Sequence, residues 1–322
     1  MIDERKPGRS EKLTTAFSAD PRDSTRAING RTAAGAAWLA ALAAAILFST
    51  GGAAIKTGAF SVAQVSCVRS GIAALALLAW SRGRLDLSLP VAGIGLVYAA
   101  VMTLFVASTK LTTAANAIFL QSAAPLYLLV LGPLVLKEAV RRRDVVYMTA
   151  LGAGVVICFL GTPAASASAP NPALGNVLGL VCSILWATTL MALRWAQRDG
   201  RDIGLSAVIV GNAMAAAAAL PFALPLPAAP LIEWSTLLYL GVIQIGLAYV
   251  CLTTAMRQLP ALEVSLVLLL EPVMNPLWTW LVRGEAPGPW ALVGGGVIVA
   301  ATAGKSLVEF FRVKPEPAAR PV

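Results

Sequence analysis

The sequence predicts an all-α integral membrane protein of ten transmembrane helices, built as two inverted five-helix repeats. Three observations carry that prediction. Hydrophobic residues make up 58% of the 322-residue chain and charged residues 13%, about half the charged share of a soluble domain. The apolar residues come in blocks of about 20, the length a helix needs to cross a ~30 Å hydrocarbon core. The two halves also match each other at a nearly fixed offset, with an odd number of blocks in each. In lipid only a helix satisfies its backbone polar groups within one segment, so each block is read as a helical span.

The elements follow in order. Residues 1–33 are polar and mix basic with acidic side chains, with no short apolar stretch leading to a small-residue cleavage site. They read as a disordered cytoplasmic tail and not as a cleaved signal peptide. The first repeat occupies 34–161, with spans at 34–55, 62–80, 89–108, 112–136 and 144–161. An outer linker, 162–173, leads to the second repeat at 174–305, with spans at 174–195, 203–222, 234–256, 261–282 and 287–305. A second cytoplasmic tail, 306–322, ends in KPEPAARPV.

Basic residues set the orientation. With the N-terminus inside, the outer loops hold only Lys56, Lys110 and Arg283, and Arg69 lies within the second span. All the other Lys and Arg of the 25 fall in cytoplasmic loops and tails, the positive-inside pattern. This predicts a multi-pass protein of the cell (inner) membrane with both termini cytoplasmic. The net charge of +9 therefore reads as topology, and no nucleic-acid partner is expected. Trp38, Trp80 and Trp195 fall at inner ends of spans and Trp234, Trp280 and Trp290 at outer ends, as interfacial belts do.

Composition also excludes chemistry. There is no histidine, which removes His metal sites and Ser-His-Asp triads. Cys67, Cys158, Cys182 and Cys251 lie in apolar blocks without a CxxC pair and read as packing residues. No Asp sits deep in a span and no Ser/Lys dyad is evident, so no catalytic residue is assigned and a membrane enzyme is set aside. AGKS at 303–306 resembles the end of a phosphate-binding loop, but Val299 stands where its first glycine belongs. No metal, cofactor or nucleotide is expected.

The internal repeat is the most informative feature. APLYLLVLGPLVLKE (124–138) aligns with EPVMNPLWTWLVRGE (271–285), so Pro125 meets Pro272 and Glu138 meets Glu285, each 147 positions later. Lys110 meets Arg257 at that offset. AILFST (45–50) matches SILWAT (183–188) at an offset of 138, which pairs Phe48 with Trp186 and Lys56 with Arg194. LGAGVVI (151–157) matches VGGGVIV (293–299) at 142. Five helices per copy insert the second copy upside down, an arrangement found in secondary transporters with a substrate site near midplane at the repeat interface.

These segments, with LLLEPVMNPLWTWLVRGE in span 9 and SCVRSGIAALALL in span 2, resemble the drug/metabolite transporter superfamily, EamA type. Within it they are most similar to the YddG-type exporters of aromatic amino acids. The resemblance covers residues 35–305. It implies a central cavity lined mainly by spans 1, 3, 4, 6, 8 and 9. It also implies a monomeric secondary transporter that exports neutral or aromatic amino acids and related metabolites by alternating access. The same fold serves facilitative, channel-like pathways and carriers of nucleosides or drugs, and saturable counterflow separates carrier from channel.

Several residues are candidates for that work. Pro125 and Pro272 sit mid-span in matching helices, where each removes one backbone hydrogen bond and offers a hinge. Glu271 lies about ten residues into span 9, where an ionised carboxylate costs about 2–3 kcal/mol or more. It reads as a proton-coupling group, a contact for a substrate ammonium, or a carboxyl that satisfies the broken helix. Arg69, about two turns from the outer face, is expected to snorkel outward or to pair with a carboxylate or a helix C-terminus. That gives it a scaffolding role ahead of a binding one. Glu263 reads as a helix-start residue. Phe48, Tyr98, Gln121, Trp186, Gln244, Tyr249 and Asn275 are the candidate substrate contacts, forming an aromatic-walled cavity with a few neutral polar groups. The alternative for each is plain helix packing.

Overall fold

The structure, a computed structural model, describes residues 21–58, 60–128, 142–198, 203–256, 259, 264 and 267–312. The expected contributions of Glu138, Arg257 and Glu263 lie outside the described residues. The first apolar block folds as α1 (Pro21–Ser49) and α2 (Gly51–Ile55), with a break at Thr50. Ser61 then opens α3 (Val62–Trp80) with a capping box. Its Oγ accepts from the Gln64 backbone N–H at 3.2 Å, and its own N–H donates to Gln64 Oε1 at 2.9 Å. Pro90 lies in the first turn of α4 (Leu89–Leu111), where its missing N–H costs no helical bond. Thr113 caps α5 (Ala114–Gln121) by accepting from the Asn116 N–H. A turn at Ser122 and Ala123 separates α5 from a short helical stretch at 124–128. The helix α6 (Arg142–Leu160) closes the first repeat.

The second repeat begins with α7 (Pro172–Arg198) and α8 (Gly204–Ala223). Its third long segment is continuous but not uniform: α9 (Leu231–Tyr239), a π-helical stretch at Leu240–Leu247, and α10 (Ala248–Met256). The helix α11 (Leu270–Arg283) follows a turn at Leu269 and ends at Gly284, whose φ of 67° closes the helix in the left-handed region. The last element is α12 (Pro289–Arg312).

Six stretches among the described residues are long and apolar enough to cross a membrane: Gly35–Ile55, Val62–Trp80, Leu89–Leu111, Pro172–Ala192, Gly204–Ala223 and Leu231–Met256. Val145–Leu160 is a shorter apolar helix. The expected tails need correction. α1 starts at Pro21 and α12 continues to Arg312, so both segments assigned to tails are partly helical. Hydropathy marks only the part of a helix that sits in hydrocarbon. The helix itself stops where its backbone bonds are capped or broken.

The inverted repeat is written into the packing. α10 packs on α1 and α4 packs on α7; these are the same pair once the two repeats are exchanged. The exchange also turns the α3 contact with the π-helical stretch into the α8–α4 contact, and α5–α7 into α11–α1. The pairs α3–α8 and α6–α12 map onto themselves. At α6–α12 the helices close up on glycine. A Cβ added to Gly154 would stand 2.8 Å from the Gly294 carbonyl oxygen, and one added to Gly294 would stand 2.7 Å from the Gly154 oxygen. Gly152 and Gly296, in the same runs, face open space. We therefore predict that Gly154→Leu or Gly294→Leu lowers stability by about 1–3 kcal/mol through overpacking. Gly152→Leu should change it by less, and thermal unfolding in detergent compares the three. Equal losses at all three positions would remove the close contact as the cause.

Candidate functional site

The site is assembled where the repeats meet and where helices are broken. At Thr50 the first span loses its regular bonding. Ser49 Oγ donates to the Ile46 carbonyl at 2.6 Å and accepts from Trp278 Nε1 at 2.9 Å. Thr50 Oγ1 donates to the Leu47 carbonyl at 2.7 Å and pairs with Tyr239 Oη at 2.8 Å. Two glycines follow the break, and two amides press against them. A Cβ on Gly51 would lie 2.8 Å from Gln244 Nε2, and one on Gly52 would lie 2.2 Å from Asn275 Oδ1. Gln244 belongs to the π-helical stretch, a wider coil that recurs at functional sites, and its Nε2 donates to the Phe48 carbonyl at 3.4 Å. Among the described residues its Oε1 has no hydrogen-bond partner, nor has either polar atom of the fully buried Asn275 amide.

Beside this break lies an aromatic cavity. Phe48 and Tyr249 meet edge-on with ring centroids 5.1 Å apart, and Tyr98 meets Tyr249 at 5.9 Å. A cavity of about 20 Å³ is walled by Tyr98, Trp186, Thr189, Val208 and Tyr249, drawn from α4, α7, α8 and α10. That volume has room for about one water molecule and none for an amino acid. Tyr98 Oη is buried beside Tyr249 and the Asn212 amide of α8.

Of the residues singled out from sequence, Phe48, Tyr98, Trp186 and Tyr249 come together, and Gln244 and Asn275 lie at the adjoining break of span 1. Gln121 does not line the cavity. It ends α5, and its carbonyl accepts from Ser183 Oγ of α7 at 3.2 Å. The cause is Pro125: with no N–H, it cannot bond the carbonyl four residues back, and Ser183 supplies the missing proton. The turn at Ser122 and Ala123 and the turn at Leu269 are repeat equivalents at the 147 offset. Both lie just before the matched prolines. Pro272 is therefore not mid-helix but in the first turn of α11, and Pro276, not singled out from sequence, stands inside that helix.

The two charged candidates also differ from expectation. Arg69 neither snorkels nor pairs with a carboxylate among the described residues. It is 1% exposed, and one guanidinium nitrogen donates to the mid-helix carbonyl of Met102 at 3.2 Å and approaches Met102 Sδ at 3.6 Å. Its Nε–H has no partner. A buried cation without a carboxylate costs several kcal/mol. Glu271, half-buried in the first turn of α11, makes no hydrogen bond or ion pair among the described residues. Tyr249 stands within electrostatic range of both Arg69 and Glu271.

A third cluster escaped the sequence reading. Lys56 Nζ lies 3.0 Å from Glu285 Oε2, with both side chains under a tenth exposed. Glu285 Oε1 accepts from the Ala114 N–H at 2.7 Å, so it caps α5 across the repeat. Lys56 also donates to the carbonyls of Thr112, at 2.6 Å, and Ser168. Burial pulls the Lys56 ammonium below the usual lysine range, while the Glu285 carboxylate works the other way. Next to it, Asn176 Oδ1 accepts from Thr112 Oγ1 at 2.7 Å and Asn116 Nδ2 at 3.2 Å, and Asn176 Nδ2 donates to Thr162 Oγ1 at 3.0 Å. The signal was present: Lys56 and Glu285 are both repeat-matched charges placed at the same end of the bundle.

Paired inverted repeats, with helices broken at matched positions and orphaned polar groups where the repeats meet, define a membrane transporter. The EamA-like transporter family matches residues 35–160 and 173–306, one block in each repeat, and the chain belongs to that family. No curated protein matches it. A crystal structure of a protein shares the fold at 21% sequence identity, over 86% of this chain and 99% of that chain, with a TM-score of 0.59.

Removing one member of a buried ion pair strands the other, at about 3–5 kcal/mol. Lys56→Met and Glu285→Leu should each lose about that much stability, and the double variant should lose clearly less than the sum. A double-mutant cycle on unfolding in detergent checks this, and strict additivity would show that the pair does not couple.

Proposed function

We propose that this transporter carries neutral and aromatic amino acids, with related metabolites, out across the cell (inner) membrane by alternating access. The observation that carries the reading is the aromatic cavity. Phe48, Tyr98, Trp186 and Tyr249 converge from both repeats at one point, where apolar rings suit an amphipathic solute. The small volume supports a carrier over an open channel, because a solute enters only after the Tyr249 contacts separate. The positive-inside pattern supports cytoplasmic termini, with the Lys56–Glu285 end facing outward. On that orientation the buried ion pair holds the outer end of the bundle shut in this conformation. Few buried charges argue against polyphosphorylated or multiply charged cargo.

Glu271 is the second functional group of this reading. An unpaired carboxylate at membrane depth, within electrostatic range of Tyr249, suits a proton-coupling group.

Purified protein in liposomes tests the proposal. Labelled phenylalanine and tryptophan should show saturable counterflow competed by unlabelled substrate. Trp186→Ala or Tyr249→Ala should reduce it by about 10-fold through loss of aromatic contact in the cavity. Absence of amino-acid flux from folded protein would return the substrate to other metabolite classes. Flux through the wild type should respond to an imposed pH gradient, and Glu271→Gln should abolish that response. A Glu271→Gln variant that keeps its gradient dependence would leave Glu271 a structural role only.

A further inference from the structure

The polar groups around Arg69 are unbalanced in one direction. Its Nε–H and the hydroxyls of Ser66 and Ser70, three residues before it and next to it on α3, are buried and have no hydrogen-bond partner among the described residues. Each brings a proton to donate. Serines in helices commonly return that proton to a carbonyl one turn back, as Thr103, Ser122 and Thr189 do here. Ser66 and Ser70 do not. Among the described residues, the one acceptor that Arg69 finds besides the Met102 sulfur is the Met102 carbonyl, a group inside a regular helix. No carboxylate, Glu271 included, lies within ion-pair distance of Arg69 among the described residues, although both are within electrostatic range of Tyr249.

This donor-rich pocket adjoins the aromatic cavity. Met102, whose carbonyl accepts from Arg69, lies one turn beyond the cavity residue Tyr98 on α4, and Arg69 is within electrostatic range of Tyr98 and Tyr249, whose rings meet edge-on at the cavity. A guanidinium held there, with an unused N–H and the spare hydroxyls of Ser66 and Ser70 on the same helix, lacks an anion. A planar carboxylate matches a guanidinium edge and takes several donors at once. We propose that Arg69 is the carboxylate-binding residue of the transport cavity, so that the solutes held there must carry a carboxylate. The inference rests on the amino-acid reading above and sharpens it. The aromatic rings take the side chain and Arg69 takes the carboxylate. Arg69 is left unpaired in the protein because its counter-ion arrives with the cargo. An amide or amine of the same shape offers the donors no charge and does not repay the desolvation of Arg69.

Two measurements on the full-length protein in detergent and in liposomes decide it. The first compares thermal stabilisation of the wild type by phenylalanine, 3-phenylpropionate, phenylalanine amide and phenethylamine. The expected result is stabilisation by the two carboxylates, with the amide and the amine weaker by about 10-fold or more in apparent affinity. This arm needs no variant, so it stands even if changes at Arg69 impair folding. The second repeats the titration with Arg69→Gln and Arg69→Lys. Gln should lose the preference for acids, and Lys, which keeps the charge but not the bidentate edge, should keep part of it. Equal binding of acid and amide by the wild type overturns the proposal, as does no stabilisation by either acid, or unchanged acid preference in a folded Arg69→Gln. Flux separates this from the carrier reading. Arg69-dependent acid binding without amino-acid flux supports the anion site and removes the carrier reading. Amino-acid flux unaffected by Arg69→Gln does the reverse.

Discussion

Hydrocarbon offers a backbone no hydrogen bonds, and nearly every feature of this structure can be traced to that constraint. It makes each apolar block a helix, and it makes every departure from a helix something that a neighbour must repair. At Thr50 the repair comes from Ser49, Thr50, Tyr239 and Trp278. At Gln121 it comes from Ser183, because Pro125 has no proton to give. In the third long segment of the second repeat the helix widens over Leu240–Leu247 without losing its bonds, and that places Gln244 against the break in span 1. The irregular backbone thus lies inside the protein, at the interface of the repeats, and there the broken helices can present polar groups to a solute.

Charge is handled by the same rule, with two different outcomes. Lys56 and Glu285 are buried as a pair, and each has further partners: two carbonyls for the lysine and the Ala114 N–H for the glutamate. These partners offset part of the desolvation, which is the condition under which a buried pair holds. Arg69 and Glu271 are buried or half-buried without such partners and do not pair with each other. The contrast separates a partnered pair of charges from charges that have no ionic partner among the described residues. Lys56 and Glu285 lie at the ends of α2 and α11, Arg69 lies on α3 and Glu271 on α11, while the four rings come from α1, α4, α7 and α10.

The repeat relation explains why so much rests on so few positions. Exchange of the repeats maps α1–α10 onto α7–α4 and leaves α3–α8 and α6–α12 in place, so the latter two pairs flank the pseudo-two-fold axis. The close α6–α12 contact at Gly154 and Gly294 fixes one part of this frame. Helices off the axis occur as exchanged pairs of contacts, both members of which are present in this structure.

The sequence by itself determined the number of spans, the repeat, the class of fold and four aromatic residues that the fold brings together. Hydropathy, the offset between 124–138 and 271–285, and the match of Phe48 with Trp186 are all properties of one-dimensional spacing. It missed the true starts of α1 and the end of α12, because hydropathy says where lipid is and not where a helix is capped. It placed Gln121 in the cavity, because an amide in an apolar block looks the same whether its side chain or its carbonyl does the work. It had Lys56 and Glu285 as separate entries in a repeat alignment, and only folding brought residues more than half the chain apart to 3.0 Å. Arg69 shows the difference most plainly. The sequence showed a cation at membrane depth and supplied it with the usual escapes, an outward reach or a carboxylate. Whether a buried charge has a partner depends on every helix packed around it, and that was decided by the tertiary structure alone.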